Sequence, residues 1–141
     1  MKSVYKFLFP MKPDGTGISL LLLAIRIVFG LLLLSHGMQK WTNFTQLATQ
    51  FPDPLGLGSE VSLGLAIFAE LFCSLGFIFG VLFRLVLIPM IFTMCIAFFV
   101  IHAQDPFQVK ELAFVYLVVF VITFISGPGK FAVDRFLAKR V

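Results

Sequence analysis

Arg26 lies near the middle of an apolar run, Ile18 to Met38, that is long enough to cross a bilayer. A charge at membrane depth costs about 2.5–3.5 kcal/mol on insertion scales, so it persists where a partner or a polar cavity holds it. The strongest partner on offer is Glu70, deep in a second run, Val61 to Phe83. Two opposite charges in two apolar helices predict an intramembrane ion pair, Arg26–Glu70, inside a small bundle.

Composition excludes an ordinary soluble domain. Apolar residues make up 60% of the chain and charged residues only 13%, against roughly 45–50% and 25% in soluble proteins. Four runs qualify as spans: about 18–38, 61–83, 85–101 and 112–126. The last is short unless it borrows Val109, Lys110 and Glu111. No alternating strand pattern competes with them. The expected fold is therefore an all-α membrane protein, a four-transmembrane-helix bundle over 18–126. It is flanked by an interfacial segment, 1–17, and an interfacial tail, 127–141.

The net charge of +4 is not read as nucleic-acid binding, because the basic residues sit beside the apolar runs, at headgroup level. Lys2, Lys6, Lys12, Arg84, Lys130, Arg135, Lys139 and Arg140 fall on one side of a four-span arrangement. Only Lys40 and Lys110 fall on the other. The positive-inside rule then makes both termini cytoplasmic. The N-terminal run is too long for a signal-peptide core, contains Arg26 and has no small-residue cleavage site after it. In the loop from Thr42 to Ser59, Phe44, Leu47, Ala48 and Phe51 recur at helical spacing. A short amphipathic helix over the bundle mouth fits them.

The candidate chemistry gathers at two depths. On the first span, Arg26, Gly30, Leu33, Gly37 and Lys40 share one helical face, flanked by His36. The glycines allow close approach of another backbone. On the second, Ala66, Glu70, Cys73 and Ser74 share a face. At the opposite side of the membrane from the termini, His36, Lys40, His102 and Glu111 end or open helices at similar depth, with Glu70 below. Histidines and acids there suit proton exchange or hydrogen bonds to a quinone carbonyl. Plain helix-end polarity and a pair that only fixes helix register explain the same residues. Haem ligation by His36 and His102 lacks a supporting motif, and no ligand pair has metal-site spacing. Cys73 and Cys95 fall inside spans without a C-x-x-C motif and read as small buried residues.

Several stretches resemble the DoxX family of small four-helix bacterial membrane proteins. They are Arg26-Ile27-Val28-Phe29-Gly30, then His36-Gly37-Met38-Gln39-Lys40, then Ala69-Glu70 with Gly76, Gly80 and Arg84 downstream. His102, Glu111-Leu112-Ala113 and Gly127-Pro128-Gly129 with Asp134 follow in the same order. The resemblance implies a multi-pass protein of the bacterial inner membrane, associated with quinone-linked oxidoreductase systems. It also implies Arg26, His36, Lys40, Glu70, His102 and Glu111 as site residues.

The expected function is a quinone-linked redox subunit. Lipid-soluble quinone enters between helices, and no redox cofactor is held by the chain itself. The expected partners are the bilayer and other membrane or redox subunits, or further copies of the chain. A non-catalytic scaffold of a membrane complex and a small proton-coupled transporter remain open as alternatives.

Overall fold

The computed structural model describes residues 2–8 and 15–140. Among these, every regular element is helical. A short helix α1 (Lys2–Leu8) precedes the first span, α2 (Thr16–Thr42). A single turn, α3 (Phe44–Leu47), leads through a loop to the second span, α4 (Ser59–Phe79). The third and fourth spans are α5 (Phe83–Ile101) and α6 (Phe107–Ser126), and a short α7 (Val133–Ala138) follows. Four helices are therefore long and apolar enough to cross a membrane. They pack in chain order as an up-down-up-down bundle. Leucines, isoleucines and phenylalanines are exposed on the outer faces, such as Leu31, Phe72, Ile88 and Ile122. Those faces meet lipid.

The span limits differ from the sequence reading in ways that local chemistry explains. The first span runs on through Ser35, His36, Gln39 and Lys40, since polar residues at a helix end do not stop it. The turn between α4 and α5 falls at Gly80–Leu82 rather than at Arg84. Gly80 takes a left-handed conformation at φ +68°, and the Val81 N–H returns to the Gly76 carbonyl at 2.9 Å. That is the usual glycine stop of a helix. The fourth span begins at Phe107, directly after Pro106.

Arg26 is 1% exposed and sets the packing of one end of the bundle. Its Nε donates to the Phe77 carbonyl at 3.1 Å and one terminal nitrogen donates to the Ile78 carbonyl at 2.6 Å. The other terminal nitrogen donates to the carbonyls of Pro128 at 3.0 Å and Phe131 at 2.7 Å. The first two belong to the last turn of α4, whose carbonyls have no partner within the helix. The guanidinium thus closes the C-terminal end of one span and ties down the loop after another.

Asp134 completes this clamp. Its carboxylate accepts the N–H groups of Leu82 at 2.9 Å and Phe83 at 2.8 Å. That caps the start of α5 and holds Leu82 at φ +46°, a conformation costly for a branched side chain. Ser19 Oγ accepts the Lys130 N–H at 3.1 Å. Arg84 donates to the Phe7 carbonyl at 2.7 Å and the Phe124 carbonyl at 3.1 Å, fastening α1 to the same end.

The core follows the buried stripe of α2. A Cβ on Gly37 would lie 2.7 Å from the Leu71 nitrogen and 2.8 Å from the Glu70 carbonyl carbon. Only glycine permits α2 and α4 to approach this closely. Below it, Leu33, Phe77, Phe83, Leu87, Met90 and Phe120 form the main apolar cluster. Around α3, Phe44, Leu47, Ala48 and Phe51 pack on Leu63, Ile67 and Leu71, as their spacing predicts.

Candidate functional site

The Arg26–Glu70 pair is not formed. Arg26 is satisfied by backbone carbonyls, and Glu70 forms its ion pair with Lys40. Depth explains the difference. Arg26 lies level with Phe77 and Ile78, and Glu70 stands about 11–12 Å away along α4 at 1.5 Å per residue. Lys40 is one turn beyond Gly37, whose Cα abuts the Glu70 backbone. Helical side chains lean toward the N-terminus, so Lys40 reaches back past Gly37 to the Glu70 carboxylate. The pair is enclosed: the side chains are 24% and 8% exposed, respectively. A paired charge at this depth avoids the penalty that either would face alone.

Beside this pair lies a cavity of about 500 Å³ between α4 and α5. On the α4 side it is lined by Leu65, Ala66, Phe68 and Ala69. On the α5 side it is lined by Pro89, Phe92, Thr93, Ile96 and Ala97. Phe51, Pro52, Pro54 and Leu55 of the loop before α4 form its roof. Its polar groups are few: Lys40, Glu70, His102, Ser62 and Thr93. Both walls depart from regular α-helix. α4 makes a π-helical turn at Phe68–Phe72, centred on Glu70, and α5 makes another at Ala97–Ile101. Such turns add a residue to the helix circumference and recur at functional sites. Pro89 interrupts the backbone ladder of the same wall.

The roof is fastened by Asp53. Its carboxylate accepts the N–H groups of Leu57 at 2.9 Å and Gly58 at 2.8 Å, and the Ser62 hydroxyl at 2.8 Å. The bond from Ser62, then those from the backbone, hold the Asp53 carboxyl below its ordinary range. Gly58, at φ +99°, gives the turn into α4 that these bonds require.

Three of the residues singled out from sequence therefore share one cavity: Lys40, Glu70 and His102. His102 Nδ1 is also 2.7 Å from an Asp105 carboxylate oxygen, which orients the ring. The other two do not join them. His36 sits edge-on to Tyr116 of α6, ring centres 6.3 Å apart, outside the cavity lining. Glu111 is exposed at the start of the second turn of α6 and is not a lining residue. Of the two histidines, His102 lines the cavity and His36 does not. Among the described residues, no three His, Cys, Asp or Glu side chains gather as metal ligands. Cys73 is buried and Cys95 half-buried, both as free thiols.

Sequence reasoning missed Tyr116. It is buried, stacks on Phe120 at 5.6 Å between ring centres, and meets the His36 ring edge-on. A single tyrosine in an apolar run carries no motif. Its sole signal is that tyrosine brings a hydroxyl to membrane depth.

The chain is 28% identical, over 137 residues, to an uncharacterized protein of Haemophilus influenzae, an alignment covering 92% of this chain and 89% of that one. No solved structure matches it. The DoxX family model matches residues 21–103, from the first span to the end of the third. That stretch is more than half of the chain and holds Arg26, Lys40, Glu70 and His102. This multi-pass membrane protein belongs to the DoxX family.

Proposed function

We propose that the cavity beside Lys40 and Glu70 binds the headgroup of a quinone-type ligand, and that the chain is the membrane subunit of a quinone-linked redox system in the bacterial inner membrane. The single observation that carries this reading is the cavity's make-up. It is apolar along both walls, with the Lys40–Glu70 ion pair at its inner side and His102 at the end of α5 among the few polar groups that line it. Few polar groups in an apolar pocket fix orientation rather than supply bulk affinity. Lys40 donates to a quinone carbonyl oxygen, and Glu70 accepts from a quinol hydroxyl. His102, hydrogen-bonded to Asp105 at the end of α5, passes protons into the cavity from its mouth. Reduction of a quinone to a quinol takes up two electrons and two protons. Lys40 supplies a proton at the headgroup, His102 stands at the cavity mouth through which protons are resupplied, and the electrons come from a separate donor subunit.

The split of basic residues supports an orientation with both termini cytoplasmic and the cavity roof on the far side. Trp41, the sole tryptophan, follows Lys40 directly and packs edge-on against Phe72 at 6.3 Å. It is a native reporter of the site. Saturable quenching of Trp41 by a tailless benzoquinone, in protein reconstituted in lipid nanodiscs, supports the reading. Lys40→Met and His102→Ala should weaken it at least tenfold. Quenching that rises linearly without saturation, and equally in the variants, defeats it and favours a scaffold in which Lys40–Glu70 only sets helix register.

A further inference from the structure

We propose that the ligand reaches this cavity sideways from the lipid, through the seam between α4 and α5, and leaves a single flexible apolar tail lying in that seam. This rests on the quinone-type reading of the cavity and adds where the ligand comes from and what must be attached to its headgroup.

The two helices that form the seam are bound tightly at one end and parted at the other. At the Gly80 turn they touch closely: Phe77 stacks on Phe83 with ring centres 5.4 Å apart, and a Cβ on Gly76 would lie 2.8 Å from Val86. Toward the roof the space between them is the cavity. The turn at Phe68–Phe72, Pro89 and the turn at Ala97–Ile101 all lie on its walls. Each removes regular α-helical pairing where the two walls diverge.

The cavity reaches the outer surface of the bundle along this divergence. Phe68, Phe92 and Leu65 line it and are yet 51%, 53% and 49% exposed. A residue that both lines a cavity and faces outward marks its rim; these three on the helix walls are apolar, as are Ile101 and the roof residue Leu55, which are exposed as well. The opposite side is bounded by α2, from which Lys40 projects, and the top is covered by the loop that Asp53 fastens. Along α5 the lining runs from His102 at the helix end to Pro89, thirteen positions and about 20 Å at 1.5 Å per residue. The space is thus long and narrow, polar beside Lys40 and apolar along the seam. A headgroup and the first part of one chain suit about 500 Å³; the remainder of the chain lies between the helices and lipid. A compact water-soluble solute has no use for the apolar length, and a two-chained lipid overfills it.

Two photoreactive probes test the route on the full chain in nanodiscs. One is a benzoquinone with an azide on the ring. The other is a decyl-tailed benzoquinone with a diazirine at the end of the tail. The ring probe should label peptides bearing Lys40, Glu70 or His102. The tail probe should label Phe68, Phe92 or Leu65, and excess unlabelled decyl-benzoquinone should suppress both by at least fivefold. The decyl-tailed quinone should also compete at least tenfold better than the tailless ring, at matched concentration in the membrane.

Competed ring labelling with tail labelling at Pro52–Leu55 would put the tail through the roof and overturn the lateral route while leaving the quinone site standing. Tail labelling at the rim that excess unlabelled quinone leaves unchanged would be bulk-lipid reaction and would overturn it as well. Absence of competed ring labelling would remove the quinone site and the route together.

Discussion

The two ends of the bundle each hold a buried charge, and they treat it differently. At one end Arg26 is wrapped by four backbone carbonyls, with Asp134 capping the neighbouring helix. At the other end Lys40 meets Glu70 at the edge of a cavity, and the helices around it leave regular geometry. A charge whose hydrogen bonds go to backbone acceptors of two other segments fastens them to its own helix. A charge paired with one side chain beside open space keeps donors and acceptors that a ligand can share. The lesson is that depth in the membrane does not by itself make an ionisable residue a ligand site. What surrounds its polar atoms decides.

The sharpest way to break this contrast is to remove Arg26. Arg26→Leu strips the Phe77, Ile78, Pro128 and Phe131 carbonyls of their donor. Each buried carbonyl left without a donor costs about 1–3 kcal/mol. The expected outcome is collapse of membrane yield and a large fall in melting temperature in detergent. A fall no greater than that of a lipid-facing change such as Leu31→Ala would contradict the clamp.

Next in size is Gly37→Leu, which drives a side chain into the Glu70–Leu71 backbone. Overpacking of this kind costs about 1–3 kcal/mol. It should also part Lys40 from Glu70, so quinone binding should fall further than in Gly30→Ala, where the nearest obstacle is the flexible Ile78 side chain.

A double-mutant cycle separates the two ends directly. Lys40→Met with Glu70→Gln should show coupling of roughly 0.5–3 kcal/mol, as contacting residues do. Arg26→Lys with Glu70→Gln should be additive within about 0.5 kcal/mol. Coupling in the second cycle and none in the first would restore the pairing expected from sequence.

The smallest effect belongs to the roof. The Asp53 carboxyl is held below its ordinary value by Ser62 and the loop amides. Its contribution to roof order is therefore fully present above the ordinary aspartate value of 3.8, and is lost as pH falls through the lowered folded value. Hydrogen exchange of the Leu57 and Gly58 amides should accelerate in that acid window. In Asp53→Ala it should be fast already at neutral pH. Equal protection in both proteins at pH 7 would contradict the fastening.

Much of this contrast is legible in the residues, and its decisive part is not. The face Arg26, Gly30, Leu33, Gly37 and Lys40 is readable because helical periodicity and small residues are local properties. The spans are readable because hydropathy is additive along the chain. The partner of Arg26 is not, because every residue has the same carbonyl and no side-chain letter marks which one is unpaired. Lys40 as partner of Glu70 is hidden for a related reason. Charges can be counted, but their relative depth depends on where α2 and α4 touch, and Gly37 sets that. The π-helical turns and the cavity they border have no sequence signature here. Glu111 and His36 fell into the expected polar mouth because helix-end residues look alike until the faces of α2 and α6 are known.

The most direct test compares the two ends in one measurement, the rise in melting temperature caused by saturating decyl-benzoquinone. A ligand that binds only the folded state stabilises it by about 2.7 kcal/mol at a hundred times its Kd. The intact protein should shift upward. Arg26→Lys, which keeps a cation in the carbonyl cage, should start from a lower melting temperature and shift by the same amount. Lys40→Met and Glu70→Gln should also start lower, because each leaves its partner unpaired, but should shift little. Loss of the shift in Arg26→Lys with full retention in Lys40→Met and Glu70→Gln would contradict the assignment of ligand binding to one end and fastening to the other.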